Sequence, residues 1–231
     1  MISTHGVGIA RERNLSPNNP TQPNPPRFQG NLAYLEGMDL IELNLGLSTQ
    51  LTGDLKSLTK MRSLQTVDLG GCNRLTGSLK SLRGMQLRTL DLRSIETISG
   101  DLSGVAPMVQ LEVLNLTECR GIRGDLSCLT THRAATVIEL GQCSSVHGAL
   151  SELSTLKNLM KLNIEGCDIK GKLAHLSSLI KMEVLRMAGC KDVEGSLEDL
   201  DGLRLLTHLR YSRASVHECA CACASRGACV L

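Results

Sequence analysis

The sequence predicts an α/β repeat solenoid, in which short strands stack side by side and short segments return the chain between them. Three observations lead to that fold class. One pattern recurs seven times, at spacings of 23 or 24 residues. Its apolar positions are mostly Leu: the 231 residues include 41 Leu but one Phe, two Tyr and no Trp. A Gly recurs at the same place in all seven copies. A core of Leu nearly free of aromatics suggests identical small layers, repeated.

The pattern is L-x-x-L-x-L-x-x-C-x-x-L-x-G-x-L-x-x-L-x-x-L-x-x. Its first position falls at Leu40, Leu64, Leu87, Leu111, Ala135, Leu159 and Met182, and Leu206 opens a partial eighth unit. The Gly column is Gly53, Gly77, Gly100, Gly124, Gly148, Gly171 and Gly195, with Leu two residues after each. Phe28-x-Gly30-x-Leu32-x-x-Leu35-x-x-Met38 matches the second half of a unit, so the array spans 28–211.

Each element follows from the pattern. L-x-L alternates with the period of a strand that has one face inward, so one strand per unit predicts a parallel sheet with strands about 4.8 Å apart. L-x-x-L-x-x-L puts an apolar residue at every third position, which suits a 3₁₀ or irregular turn. A recurring Gly marks a positive φ or a close backbone approach. No unit buries its Leu face alone; neighbouring units complete the core.

These residues resemble a leucine-rich repeat of the 24-residue type, and the L-x-G-x-L half is similar to the plant class. The resemblance implies a horseshoe with the parallel sheet on its strand face, and it implies binding without naming a ligand. The sequence departs from the plant class in two ways. The Asn expected at the ninth position is Cys in five units, Cys72, Cys119, Cys143, Cys167 and Cys190, and the usual Pro of the second half is absent. Cys at that position is more typical of intracellular members of the family.

The flanks differ from the array. Residues 1–27 are polar and hold five of the six prolines, which reads as a disordered lead. Residues 212–231 carry Cys219, Cys221, Cys223 and Cys229. Neither end shows a polar cap of the kind solenoids need, so the expectation is a fragment of a longer array, ends covered by the tails, or ends covered by a partner.

Chemistry is sparse. Net charge is +2, which argues against nucleic acid as partner. No run of 18 apolar residues suggests a membrane span, and the first 30 residues contain no apolar core of a signal peptide. There is no P-loop, G-x-G-x-x-G, H-E-x-x-H or G-x-S-x-G, so no enzyme, no metal site and no cofactor are expected. His132 stands where a return segment has its third Leu and reads as a core or surface residue rather than a base. The ninth-position thiols read as small buried hydrophobes donating to backbone carbonyls, which points to a reducing, cytoplasmic location.

What remains is a surface. The second, third, fifth, seventh and eighth positions point outward from the strands. They hold eight acids (Glu42, Asp68, Asp91, Glu112, Glu118, Glu139, Glu165, Glu183) and four bases (Arg88, Arg93, Lys161, Arg186), a net of −4. The whole array, with 20 Lys and Arg against 21 Asp and Glu, is only −1. The fifth column is the most regular: Asn44, Asp68, Asp91, Asn115, Glu139, Asn163 and Arg186. It reads as a ladder of acceptors for a basic or amide-rich peptide, or as a solvated polar face. The expected function is therefore a non-catalytic scaffold binding a basic protein or peptide through the strand face. The alternative is a piece of a plant-like receptor or surface-antigen ectodomain.

Overall fold

The computed structural model describes residues 28–211; the Pro-rich lead and the Cys-rich tail lie outside the described residues. Sixteen strands alternate along this span and segregate into two parallel sheets of eight. The strand-face sheet holds β2 (Glu42–Asn44), β4 (Thr66–Asp68), β6 (Thr89–Asp91), β8 (Val113–Asn115), β10 (Val137–Glu139), β12 (Lys161–Asn163), β14 (Val184–Arg186) and β16 (His208–Arg210). The other sheet holds β1 (Gln29–Asn31), β3 (Gln50–Asp54), β5 (Arg74–Ser78), β7 (Ile98–Asp101), β9 (Gly121–Asp125), β11 (Ser145–Ala149), β13 (Asp168–Lys172) and β15 (Asp192–Glu194). Successive units pair in order within each sheet, so the fold is a leucine-rich-repeat solenoid. The second sheet adds to the single sheet that the alternating Leu pattern predicts.

Strand-face pairing is in exact repeat register: Leu43 pairs with Val67, Val67 with Leu90 and Leu90 with Leu114. Like positions therefore lie side by side as columns. The inward columns are sealed; Leu69, Leu92, Leu116, Leu140, Ile164 and Met187 are all 0% exposed. The return segments are 3₁₀ turns, for example Leu79–Leu82, Leu126–Leu129 and Leu173–Leu176. Their three-residue turn stacks Leu at i and i+3 on one inward edge.

A cap starts most of these turns. Asn31, Asp54, Ser78, Asp101 and Asp125 each accept a hydrogen bond from the backbone N–H two residues on, which pins the first turn. The Ser103 N–H and hydroxyl hold the Asp101 carboxyl below the usual carboxylate range, and the Ser127 hydroxyl and N–H do the same for Asp125. Where Ala149 leaves no side-chain cap, Glu152 reaches back to accept from the Ala149 N–H at 3.1 Å.

His132 is buried in the core, 1% exposed, with Nδ1 3.2 Å from the Leu129 carbonyl and Nε2 3.1 Å from the Val105 carbonyl. Three residues on, Ala135 stands where other units have Leu or Met, and a small cavity lined by Leu111, Leu114, Leu129, His132, Ala135 and Ile138 lies in this layer.

The Gly column closes β3, β5 and their counterparts with φ between 114° and 139°. Two positions show why. A Cβ on Gly100 would fall 2.6 Å from Ser78 Oγ and 3.0 Å from the Leu79 nitrogen; one on Gly124 would fall 3.0 Å from the Leu102 nitrogen. Conformation and space both exclude a side chain. Gly100→Val or Gly124→Val is expected to destabilise the fold by about 2 kcal/mol or more. Thermal unfolding followed by circular dichroism checks this, and two unchanged melting temperatures would refute it.

Candidate functional site

The strand face is a continuous outward surface over eight strands. The structure sorts the fifth column in a way its sequence does not show. Asp91 and Asn163 are buried, Asp68, Asn115 and Glu139 are half-buried, and Asn44 and Arg186 are exposed. Four of these side chains accept from the backbone N–H two residues on: Asp68 from Gly70 (3.0 Å), Asp91 from Arg93 (3.0 Å), Asn115 from Thr117 (3.2 Å) and Asn163 from Glu165 (3.1 Å). These are Asx turns, which satisfy the N–H where the strand ends. The column is thus in part a turn-forming device.

Asp91 is the most occupied. Its second oxygen accepts from Arg93 Nη1 at 3.0 Å and from Asn115 Nδ2 at 3.2 Å. Burial pushes its carboxyl above the usual range, opposed by the Arg93 backbone bond and guanidinium. Other acids of the face are also engaged: Glu112 by Arg88 at 2.7 Å, and Glu118 by Ser94 Oγ at 2.6 Å. Arg210 Nε lies 3.2 Å from Glu165 Oε1, an ion pair without hydrogen-bond alignment. Among the described residues, Glu42, Asp68, Glu139 and Glu183 have no side-chain partner, and Asp68 keeps one oxygen free.

The eighth column carries a constraint that its mixed residues conceal. Leu47, Ser94, Glu118 and Gln142 have φ of 56–65°, and Gly71, Gly166 and Gly189 have φ of 70–82°. The chain turns sharply here in all seven units. The three glycines at this position are the only sequence signal of it.

Beneath the turn lies the thiol column. Cys72, Cys119, Cys143, Cys167 and Cys190 are buried and free. Each donates from Sγ to the sixth-position carbonyl of the preceding unit: Leu45 (3.2 Å), Leu92 (3.0 Å), Leu116 (3.1 Å), Leu140 (3.2 Å) and Ile164 (3.2 Å). Burial pushes Cys119 and Cys190 up to about 11 and Cys143 up to about 12, and raises Cys72 and Cys167 as well. The thiols tie turn to turn and stay protonated.

With this geometry in hand, the comparisons with known proteins speak to the fold. No family model matches the chain, and no curated protein matches its sequence. Solved structures do match. Internalin C2 of Listeria monocytogenes superposes with a TM-score of 0.60 at 21% identity, over 78% of this chain and 74% of that one. The ectodomain of the plant membrane receptor kinase GASSHO1/SCHENGEN3 from Arabidopsis thaliana, solved with CASPARIAN STRIP INTEGRITY FACTOR 2, gives 0.56 at 18% identity, over 75% and 24%. The Arabidopsis receptor kinase HAESA, solved with the peptide hormone IDA and the co-receptor SERK1, gives 0.55 at 18%, over 75% and 30%. The chain thus spans about three quarters of the internalin and a quarter to a third of the receptors. At these identities the likeness is one of fold: a leucine-rich-repeat solenoid. Among the described residues, no helix is long and apolar enough to cross a membrane.

The thiol column makes a testable claim. A raised folded pKa gives stability that is full below the ordinary thiol value of 9.0 and is lost as pH rises through the folded values. Denaturant midpoints are expected to hold up to about pH 8 and to fall steadily above pH 9. Alkylation of the native protein at pH 8 is expected to spare all five column thiols until it unfolds, read by mass spectrometry. Rapid native labelling of Cys143 or Cys167 would contradict the burial.

Proposed function

We propose that the solenoid is a non-catalytic interaction module that binds a basic protein or peptide through its strand face. The observation that carries this reading is the set of acids the fold leaves free. Glu42, Asp68, Glu139 and Glu183 point outward from a surface whose other acids are already paired. They are matched there by two unpaired bases, Lys161 and Arg186. Receptors of the same fold solved with peptide hormones support a peptide or protein as the class of partner, as analogues in shape only.

The character of the contact follows from the side chains. The face presents no aromatic anchor, and its seventh column holds Gly46, Gly70, Gly141 and Ala188. Little area is available to bury, so binding is polar, weak and salt-sensitive unless the partner brings its own anchors. Five free buried thiols accord with a reducing, cytoplasmic location.

The test is affinity capture with mass spectrometry, comparing wild type with Glu139→Lys plus Glu183→Lys at low and high salt. These positions make no turn-forming bond, so the fold should be kept. The expected result is a basic partner lost in the variant and lost at high salt. The same captured set from both proteins would place the interface elsewhere.

A further inference from the structure

The return side of the solenoid is opposite in charge to its strand face. Six successive return segments, 55–63, 79–86, 102–110, 126–134, 150–158 and 173–181, hold eight Lys and Arg against one acid. That acid, Glu152, is already bound to the Ala149 N–H. All eight bases are exposed, and none makes an ion pair among the described residues. The strand face differs, since there Arg88 and Arg93 are matched by Glu112 and Asp91.

Four of these bases fall into one file. Arg62, Gln86, Gln110, Arg133, Lys157 and Lys181 each occupy one of the last two positions of six successive units, where the return segment leads into the strand face. Each is exposed, and each carries N–H donors on a long side chain. Bonds between units hold part of the file in line. Lys181 Nζ donates to Asn158 Oδ1 at 2.7 Å, and Asn158 Nδ2 donates to the Arg133 carbonyl at 3.0 Å. At about 4.8 Å per unit the file is about 24 Å long, the span of about seven residues of extended chain. At its first end Arg62, Ser63, Gln65, Gln86, Arg88 and Gln110 line a groove of about 290 Å³. Of the acids that border the file, Asp39 accepts from the Ser63 hydroxyl and Glu112 from Arg88, which leaves Glu183, two residues after Lys181, unengaged. The next return turn reverses the sign with Glu198, Asp199 and Asp201, so the file ends at Lys181.

We infer that this file docks an extended acidic peptide segment whose carboxylates alternate with apolar side chains. Arg62 and Arg133 suit carboxylates in the two-pronged geometry of guanidinium, and Lys157 and Lys181 act as point charges. Two features select a peptide among polyanions. Gln65, Gln86 and Gln110 each carry an acceptor beside their donors, which matches the N–H and C=O of a peptide bond; the charged groups of a phosphate or sulfate chain use donors alone. Val109 and Ile180, 47% and 62% exposed, directly precede Gln110 and Lys181 and offer contacts to apolar side chains that such a chain lacks. No aromatic residue lies on the file, so the bases of a single-stranded nucleic acid find nothing there to stack on. The file uses none of the free strand-face acids, so it stands whichever partner that face takes.

The test is fluorescence anisotropy of a labelled peptide in which Glu and Val alternate, titrated with the full chain at low salt, with circular dichroism as the control for folding. Wild type is expected to bind the peptide and to release it as salt rises. Arg133→Glu with Lys157→Glu is expected to weaken binding about tenfold or more. Lys56→Glu with Lys80→Glu makes the same change of charge on the return side but off the file, and is expected to weaken binding by less than about threefold. Gln86→Ala with Gln110→Ala is expected to weaken the peptide while leaving heparin, a sulfated chain, unaffected. A wild type that does not bind the peptide would overturn the inference. Equal losses from the two charge-reversed variants would do so too, since they would show attraction without a site. So would tighter binding of heparin or of phosphatidylserine vesicles than of the peptide, which would assign the file to a sulfated chain or to a membrane.

Discussion

The structure depends on one constraint: no turn of the chain can bury its own leucines. Each unit offers a flat layer of Leu and receives the next, and the layers seal only because the backbone pairs in the same register at every step. Leu43, Val67, Leu90 and Leu114 form one line because β2, β4, β6 and β8 never slip. A slip of one residue would turn the inward columns outward. The thiol and cap columns defend this register. Each Sγ reaches the carbonyl of the unit before it, and each capping Asp, Asn or Ser fixes where a return turn starts. Stability is therefore spread along the array as unit-to-unit contacts, with no single centre.

That constraint also shapes the chemistry of the outer face. The strand ends at the fifth position and the chain turns through a positive φ at the eighth, which leaves the seventh-position N–H in need of an acceptor. Asp68, Asp91, Asn115 and Asn163 supply it from the fifth column. A carboxylate that accepts from its own backbone has less to offer a ligand, and Asp91, with Arg93 and Asn115 also on it, has least. The binding capacity of the face is thus what remains after the fold has used its share, and it shifts toward Glu139 and Glu183, whose longer side chains take no part in the turns.

Much of the architecture was legible in the sequence because a column repeated seven times is hard to mistake. The L-x-L strands, the three-residue period of the return turns and the stacking of Leu layers all follow from spacing. The second sheet was not legible. Its strands lie in x-L-x-G-x, a stretch with one apolar residue, too short to show a period of two. The eighth-column turn was hidden because Leu47, Ser94, Glu118 and Gln142 share a backbone conformation and no side-chain property. The fifth column misled in a different way. Asn and Asp in a row read equally as a ligand ladder or as Asx turns, and only the distances to Gly70, Arg93, Thr117 and Glu165 separate them. His132 was half legible: the missing Leu was plain, but not that its ring nitrogens lie beside the Leu129 and Val105 carbonyls.

The aromatics close the argument. A layered core made of Leu columns has no room for a ring, because a larger side chain in one unit would wedge it from its neighbours. Phe28, Tyr34 and Tyr211 occur only where a layer has no described neighbour, the one place where the repeat does not dictate size. What departs from the repeat therefore carries information that the repeat cannot. Here the departures gather in the first and last units of the described array.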